Sequence, residues 1–503
     1  MNLYDFTIYD MYKKNAMFYK NKTALFEHGY KIGFEDLFHQ SRSLNAGLHS
    51  CGLGKGDRIA VLAQNSHHYF PLFASASALG AILVLINWRL SKEEISDILT
   101  DTEPKLLVSD LQSSQQITDL LNSCPFLQQA LVFGEKTQEM NSFDSLYLDE
   151  PMTQKEEVFG SDPFLMIHTA AVHGKPKGAV LSQENVILSI FQLLSTLSIS
   201  QNDAYLNILP LYHIMDIIIG LAVMQAGGKN VIMSKFEADT ALQSVQNQGI
   251  SILGTFPPIL DNLLSEIKKG DYNLSSVKHV LGLDQPETIN KWEESTNSRF
   301  WSLYGQTETS GMISYAPFAD RPGSAGKPAY LVDMKIVDDF DRDLSANEKG
   351  EILIRGPLVF QGYWQEPDLN QIIFRDNWHH TGDLGRLDQD GYLFFMGRKP
   401  EKDLIKSGGE NVFPVEVEKV ILEHPAVSEV SVIGIPDAKF GEGIKALCVL
   451  KTGQSVEEKE LRYFVGSKIA GYKKPRYISF IDELPKREDG IVDRDKVKEL
   501  YGE

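Results

Sequence analysis

The densest cluster of glycine and proline in the sequence is the segment 168–182, HTAAVHGKPKGAVLS. It follows an apolar run that is typical of a strand, and a helix is predicted to begin near Gln183. Loops between a strand and a helix can turn their backbone N–H groups toward phosphate. The segment departs from the Walker pattern, because Lys177 is followed by Gly178 and not by serine or threonine. The prediction of a phosphate site here consequently depends on the glycine-rich composition of the loop and on its position between a strand and a helix, and not on a Walker motif.

The run 174–178, GKPKG, resembles the phosphate loop of the adenylate-forming enzymes, a superfamily of acyl-CoA synthetases, luciferases and peptide-synthetase adenylation domains. Further matches follow in the order in which that family has them. They are LPLYH at 209–213, SLYGQTE at 302–308, TGD at 381–383, and GR at 397–398 followed by DLIKSGGE at 403–410. A single short motif could arise by chance, but an ordered set along the chain indicates the fold of this family.

The resemblance assigns the catalytic roles to Thr307, Glu308 and Lys177. A threonine can bond a phosphate oxygen, a glutamate can hold Mg²⁺ against a triphosphate, and a lysine supplies a point charge to phosphates. Tyr304 offers a flat face on which adenine can stack, and Asp383 and Arg398 resemble the residues that bind the ribose hydroxyls. The residues predicted to bind ATP or CoA are Thr169, Gly174, Gly178, Asp284, Tyr304, Gly305, Asp383, Arg398, Lys406, Ser407, Gly408 and Gly409.

The resemblance also places an acyl pocket, in which His213 would act as an aromatic gate. Apolar residues mixed with glycines favour a fatty or aromatic carboxylate over an amino acid, since Asp216 is the one obvious acid nearby that could pair with an α-ammonium. The predicted pocket residues are His213, Ile214, Met215, Ile218, Leu283, Gly311 and Met312.

Together these matches imply an ATP- and Mg²⁺-dependent acid:CoA ligase. In such an enzyme a carboxylate attacks the α-phosphate of ATP, so catalysis rests on alignment and charge neutralisation. The C-terminal domain then rotates about a hinge and the CoA thiol attacks the acyl-adenylate. Ser407, Gly408 and Gly409 correspond to the segment that forms the pantetheine tunnel in the family.

Two departures from the family pattern keep alternatives open. The phosphate loop has Ala170, Ala171 and Val172 where hydroxyl residues are usual, and Ile491 stands where the family has a lysine that bridges the carboxylate and the α-phosphate. One alternative is a catalytically impaired homologue that binds nucleotide or acyl-CoA. The other is a stand-alone acyl-AMP ligase that passes acyl groups to a carrier protein.

The elements that must position these residues alternate between strand-like and helix-like patterns, which predicts an α/β fold with parallel sheets covered by helices. We expect a large N-terminal domain, residues 1–398, made of two α/β subdomains and a small β-rich subdomain at 321–396. A small mobile α+β domain should follow at 399–503. Ser91 with Glu94 three residues later predicts a capping box at the start of a helix.

The composition of the chain limits the classes of molecule that it can bind. The 503 residues carry 49 basic and 68 acidic side chains, a net charge of −19 that disfavours nucleic acid and anionic lipid. Three widely spaced cysteines suggest neither a disulfide framework nor a zinc site. The first twenty residues lack the apolar region of a secretory signal. We therefore expect a cytoplasmic enzyme that acts on small molecules and has no transmembrane segment. The sequence leaves the oligomeric state open, with a homodimer as one option.

Overall fold

Short apolar strands and longer amphipathic helices alternate along most of the chain, as the sequence pattern predicts. This computed structural model describes residues 5–113, 120–121, 124–152, 156–169, 176–399, 404–487 and 492–502. The helices described are α1 (Ile8–Phe18), α2 (Phe34–Ser50), α3 (Tyr69–Leu79), α4 (Lys92–Thr102), α5 (Gln183–Leu197), α6 (Ile214–Gln225), α7 (Ala238–Gln248), α8 (Ile259–Ile267), α9 (Pro286–Thr296), α10 (Pro367–Ile373), α11 (Pro414–Leu422), α12 (Glu458–Gly466) and α13 (Arg494–Tyr501). The strands are β1 (Thr23–Glu27), β2 (Tyr30–Gly33), β3 (Arg58–Leu62), β4 (Ile82–Leu85), β5 (Leu106–Ser109), β6 (Gln129–Val132), β7 (Asn141–Ser142), β8 (Pro163–Thr169), β9 (Lys177–Ser182), β10 (Ala204–Asn207), β11 (Lys229–Ile232), β12 (Ile252–Thr255), β13 (His279–Gly282), β14 (Arg299–Gln306), β15 (Gly311–Pro317), β16 (Lys327–Pro328), β17 (Asp333–Val337), β18 (Gly350–Arg355), β19 (Gly362–Tyr363), β20 (Phe374–Arg375), β21 (Trp378–Leu387), β22 (Leu393–Arg398), β23 (Ile405–Ser407), β24 (Glu410–Val412), β25 (Val427–Asp437), β26 (Gly441–Leu450) and β27 (Tyr477–Phe480).

Two large sheets organise the N-terminal part of the chain. One has the strand order β16-β15-β14-β13-β12-β10-β11-β1-β2, and the other has the order β19-β9-β8-β4-β3-β5-β6-β7. In both sheets the inner strands are parallel, while β2, β9, β15, β16 and β19 pair antiparallel toward the edges. The largest hydrophobic core combines side chains from both sheets with side chains of the helices between them. This confirms the predicted α/β class.

The predicted capping box fixes the start of α4. The Ser91 hydroxyl accepts a hydrogen bond from the Glu94 N–H at 3.3 Å, and the Glu94 carboxylate accepts one from the Ser91 N–H at 2.7 Å. Both bonds satisfy backbone donors that a helix start would otherwise leave unpaired. The Glu94 side chain is thereby held in place, and it also pairs with Lys473.

The predicted small β-rich subdomain corresponds to the antiparallel sheet β17-β18-β21-β20, to which β22 adds through β21. The C-terminal α+β unit has its own sheet, β24-β23-β26-β25, with β27 paired to β26. Its hydrophobic core is separate and includes Ile405, Val432 and Leu461. The boundary at 398/399 stays a prediction, and residues 400–403 of the predicted hinge lie outside the described residues.

The predicted loop at 168–182 is wrong in its second half. Residues 177–182 form β9, which pairs antiparallel with β8 and matches Ile167 with Ala179 and His168 with Gly178. The apolar run Ala179 to Leu181 is buried between neighbouring strands. Its backbone N–H groups are therefore directed toward the neighbouring strands of the sheet and not toward a ligand. Residues 170–175 of the loop, including Gly174, lie outside the described residues.

Within the described ranges, no helix is both long enough and apolar enough to cross a lipid bilayer.

Candidate active site

The carboxyl ends of three neighbouring parallel strands define a cleft in the first large sheet. Thr255 on β12 pairs with Gly282 on β13, and Gly282 pairs with Ser302 on β14. The chain leaves β13 through Leu283 and Asp284, at the same edge of the sheet that Tyr304 occupies two residues beyond Ser302. Ligands of open α/β sheets bind at this edge.

The predicted adenosine-binding residues form one buried network. The Tyr304 hydroxyl donates to Oδ2 of Asp383 at 2.8 Å, and the Gln306 amide donates to the same oxygen at 2.5 Å. Asp383 and Arg398 are cross-strand partners of β21 and β22, with 3.6 Å between Arg398 Nε and Asp383 Oδ1. The Tyr304 ring stacks on Phe395, with ring centroids 6.2 Å apart. Burial first, and then Asp383, raise the pKa of Tyr304, so its hydroxyl is a donor at neutral pH.

Gly305 permits a close approach of two strands in this network. A Cβ atom at Gly305 would lie 1.9 Å from the carbonyl oxygen of Gly311, so no side chain fits there. The absence of a side chain lets β15 fold tightly against β14. Residues 307–309, which connect the two strands, form a short 3₁₀ helix that carries Thr307 and Glu308. Thr307 is half-buried and Glu308 is buried.

Glu308 receives two hydroxyl hydrogen bonds on the same oxygen. Thr169 Oγ1 donates to Oε1 at 3.1 Å and the Tyr363 hydroxyl donates to Oε1 at 2.7 Å. No residue that the structure describes donates a hydrogen bond to Oε2. A carboxylate oxygen is the type of ligand that Mg²⁺ prefers. The Oε2 atom of Glu308 is therefore a suitable ligand for a magnesium ion.

Lys177, predicted to bind phosphate, forms an ion pair with Glu366. Its neighbour Gly178 is buried, and the Gly178 carbonyl accepts a hydrogen bond from the Trp364 N–H at 2.8 Å. A Cβ at Gly178 would lie 2.9 Å from the sulfur of Met166, so the described contacts give this glycine a packing role. Lys177 lies at the start of β9, next to the loop in which the sequence predicts a phosphate site.

Three polar atoms around the cleft are buried and make no hydrogen bond to any described residue. Buried polar groups are normally paired, so these three atoms are available to groups that a ligand supplies. Burial raises the pKa of the Asp284 carboxyl to about 6, although the Gln285 N–H donates to its Oδ1 at 2.8 Å. The three atoms are Thr255 Oγ1, Asp284 Oδ2 and Gln306 Oε1.

The structure brings the predicted acyl-pocket residues of α6 together with β15. A Cβ built on Gly311 would lie 3.6 Å from Cγ1 of Ile218 and 3.9 Å from Cγ1 of Ile214, and Gly311 has a positive φ of 101°. Met215 and Met312 belong to the same buried core as these isoleucines. Leu283 is half-buried at the end of β13.

Asp216 is fully buried and does not serve this pocket with a free carboxylate. It forms a hydrogen bond with the hydroxyl of Tyr205, which is itself fully buried on β10. Burial raises the pKa of Asp216 well above its ordinary value. The acid that the sequence places near the pocket, Asp216, is therefore occupied within the core.

The C-terminal domain contacts this cleft through Glu410, whose side chain is only 5% exposed. Its carboxylate lies 3.0 Å from Asn87 Nδ2, 3.1 Å from the Tyr212 hydroxyl, 3.3 Å from Arg89 and 3.5 Å from His213 Nε2. Burial acts to raise the pKa of Glu410, but His213, Arg89 and Tyr212 lower it to about 2. His213, the predicted gate, thus lies at the interface between the two domains.

The predicted tunnel residues also lie at this interface. Gly408 and Gly409 have positive φ angles of 59° and 85° and turn the chain between β23 and β24. A Cβ at Gly409 would lie 3.3 Å from Cβ of Phe256, which follows β12 at the cleft. Ser407 ends β23, and Lys406 on the same strand has its ammonium 5.7 Å from the centre of the Phe256 ring.

Sequence reasoning missed Tyr363, Glu366 and Glu410 as participants, although Glu410 lay within a quoted motif. The signal available for Tyr363 was the run Gly362-Tyr363-Trp364, in which a glycine and two aromatics stand between Gln361 and Gln365.

Both the sequence and the fold of this chain have known relatives. The family model for AMP-binding enzyme matches residues 12–364, and that for the AMP-binding enzyme C-terminal domain matches residues 416–490. The chain is 30% identical over 496 residues to a 2-succinylbenzoate–CoA ligase of Bacillus anthracis, which covers 98% of both proteins. It is also similar to the structure of o-succinylbenzoate CoA synthetase from Bacillus subtilis, with a TM-score of 0.85, 27% identity and coverage of 97% and 98%. A fatty acyl CoA synthetase of Mycobacterium tuberculosis has a TM-score of 0.73, 26% identity and coverage of 99% and 98%.

The chain therefore belongs to the AMP-binding enzyme family and resembles its acyl-CoA synthetases, which confirms the family predicted from the ordered motifs.

Proposed function

We propose that the protein is an AMP-forming acid:CoA ligase that activates a fatty or aromatic carboxylic acid. The carboxylate oxygen of the acid attacks the α-phosphorus of ATP, the bond to pyrophosphate breaks, and an acyl-adenylate forms. The sulfur of CoA then attacks the acyl carbon, the bond to AMP breaks, and the thiol loses its proton. The products are AMP, pyrophosphate and an acyl-CoA thioester.

The arrangement that carries the proposal is the joining of three subsites at one cleft. Tyr304, Asp383 and Arg398 supply an aromatic ring and polar groups for adenosine. Mg²⁺, when bound at Glu308, would neutralise charge on the triphosphate, and Lys177 lies beside the predicted phosphate loop. These residues bind and orient the nucleotide, so its α-phosphate can meet a carboxylate without a protein nucleophile.

The apolar contacts around Gly311 support the acid class. Ile214, Ile218 and Gly311 meet at the cleft, and the buried Asp216 is already bonded to Tyr205. The pocket therefore suits an apolar acyl chain or ring better than a zwitterionic amino acid. The relatives named for succinylbenzoate and fatty acyl substrates agree with this class.

The turn at Gly408 and Gly409 supports CoA as the acceptor. Cδ1 of Phe440 lies 2.9 Å from the Cβ position of Gly408, and the Arg476 guanidinium lies 4.1 Å from the centre of the Phe440 ring. An aromatic ring and a cation beside a glycine turn can hold the base and phosphates of a nucleotide-bearing thiol.

A second candidate function, a nucleotide-binding homologue without ligase activity, is favoured by Ile491. An apolar side chain cannot neutralise charge that develops at the α-phosphate, and loss of such a contact costs about 10² to 10³ in rate. This candidate predicts nucleotide binding, seen as a rise in melting temperature, without pyrophosphate release.

The test is pyrophosphate release with a panel of fatty, aromatic and amino acids, comparing the protein with its Gly311→Val variant. Valine at a positive φ is strained and its methyl groups would meet Ile214 and Ile218. We expect release with an apolar acid, reduced at least tenfold by the substitution, while the affinity for ATP is unchanged. Release that is equal for both proteins would contradict the assigned acyl pocket.

A further inference from the structure

The segment 360–366 lies outside the motifs quoted from the sequence. It contacts the part of the cleft where phosphate binding is predicted. Its strand β19 pairs with β9, matching Gly362 with Val180 and Tyr363 with Ala179. The Phe360 N–H donates to the carbonyl of Glu308 at 2.9 Å. The segment therefore touches both the strand that carries Lys177 and the 3₁₀ helix that carries Glu308.

Tyr363 directs its hydroxyl at the carboxylate of Glu308. The distance from this hydroxyl to Oε1 is 2.7 Å, and Thr169 Oγ1 donates to the same atom at 3.1 Å. The tyrosine is 8% exposed and Glu308 is 4% exposed. The Tyr363 ring packs edge-on against Phe360, with ring centroids 5.0 Å apart, so strand pairing and ring packing both fix the hydroxyl.

We propose that Tyr363 is a positioning residue that presents the second oxygen of Glu308 to the metal ion of the ATP site. This inference rests on the proposed function, which assigns Mg²⁺ to Glu308. Both hydroxyl donors end on Oε1, and among the described residues none donates to Oε2. The two hydrogen bonds therefore fix the orientation of the carboxylate group about its bond to the side chain, and they leave Oε2 available for a cation. Hydrogen bonds to ligating carboxylates orient them and raise metal affinity.

The direction of this hydrogen bond agrees with the role. A carboxylate oxygen has no proton to give, so the Tyr363 hydroxyl is the donor. A hydrogen bond from a neutral hydroxyl to a charged oxygen is among the stronger ones in proteins.

The experiment is calorimetric titration of ATP into the full-length protein with Mg²⁺ and, separately, with EDTA. For Tyr363→Phe we expect the affinity in Mg²⁺ to fall about tenfold, which corresponds to the loss of one charge-assisted hydrogen bond, and the affinity in EDTA to stay unchanged. Tyr69→Phe is the matched control. Tyr69 is 1% exposed and donates to the Ala63 carbonyl at 2.9 Å, outside the cleft, so both affinities should be retained.

Two results would overturn the proposal. Equal losses with Mg²⁺ and with EDTA would make Tyr363 a structural residue, and unchanged affinity in Mg²⁺ would exclude any role toward the metal. Thr169→Val removes the other donor to Oε1 and tests the idea even if Tyr363→Phe folds poorly. Because Thr169 is itself a predicted nucleotide-binding residue, we expect the affinity in EDTA to fall too, but the affinity in Mg²⁺ to fall further; equal losses in Thr169→Val would count against the proposal. Because nucleotide binding is measured without an acid or CoA, failure of the ligase proposal would be seen separately as absent turnover.

Discussion

At the scale of single residues, Lys406 is a cation held in an unfavourable environment beside the nucleotide site. Burial first, and then the Arg398 guanidinium, lower the pKa of its ammonium to about 8. The group is charged below about pH 8 and loses its proton as the pH rises through that value. An ammonium that contacts the phosphate of AMP would therefore contribute at pH 7 and cease to contribute at pH 9.5.

This gives a prediction for nucleotide affinity. We expect the affinity for AMP to fall between about threefold and tenfold from pH 7 to pH 9.5, because the charge is lost. In Lys406→Arg the affinity should be nearly independent of pH in this range, since a guanidinium stays charged. Calorimetry measures both, with Lys451→Arg, at an exposed position, as the control. A wild-type affinity that does not change with pH would exclude Lys406 as a phosphate contact.

Ile491 allows a second prediction at this scale. Where the family has a lysine, a methyl-bearing side chain offers no charge to the α-phosphate, so Ile491→Lys should accelerate adenylation at least tenfold if that position is simply vacant. The measurement is single-turnover formation of acyl-AMP, with Val492→Lys, one residue further along, as the control. Equal rates in Ile491→Lys and the wild type would show that another group has taken over the role.

At the scale of elements, α4 connects the two domains through a buried ion cluster. Lys473, 2% exposed in the C-terminal domain, pairs with Glu94 of α4 and lies 2.7 Å from Glu416 of its own domain. Glu94 also accepts a hydrogen bond from the Ala470 N–H at 3.2 Å. Glu416 and Glu94 hold the pKa of Lys473 above its usual value although burial acts to lower it. The cluster stabilises the orientation in which the Gly408–Gly409 turn lies at the cleft.

Replacing Glu94 should therefore affect one half-reaction more than the other. The family resemblance assigns the orientation with the glycine turn at the cleft to thioester formation. We expect Glu94→Gln to slow the conversion of acyl-AMP to acyl-CoA about tenfold or more, because the buried lysine loses one charged partner. Adenylation should be unchanged. Glu93→Gln, on the exposed face of the same helix, should leave both rates unchanged. Equal slowing of both half-reactions by Glu94→Gln would contradict this assignment.

Much of this arrangement could be predicted from sequence because it is local. The Ser91 capping box depends only on neighbouring residues, and the structure has it as predicted. The strand at 177–182 was missed because glycine and proline in the loop before it obscured its pattern. Tyr363 and Glu366 were missed because their partners, Glu308 and Lys177, are 55 and 189 residues away in sequence. The periodicity of apolar residues indicates local secondary structure, and it does not indicate contacts between residues so far apart in the sequence.

At the scale of the whole molecule, the proposed function needs residues of both predicted domains. In that proposal the N-terminal domain supplies the predicted adenosine residues, Glu308 and the apolar pocket, and the C-terminal domain supplies Lys406, Glu410 and the glycine turn. The net charge of −19 would repel the anionic substrates ATP and CoA, so the cations of the cleft must reverse the field locally. Binding of both substrates should consequently weaken as the ionic strength rises.

The central claim, that this chain joins an acid to CoA through an adenylate, is tested most directly by mass spectrometry of the complete reaction. The purified protein is incubated with ATP, Mg²⁺ and a mixture of fatty and aromatic acids, with and without CoA. We predict AMP and an acyl-CoA thioester when CoA is present, and bound acyl-AMP when it is omitted. Nucleotide binding without AMP or any acyl product, with or without CoA, would contradict the account.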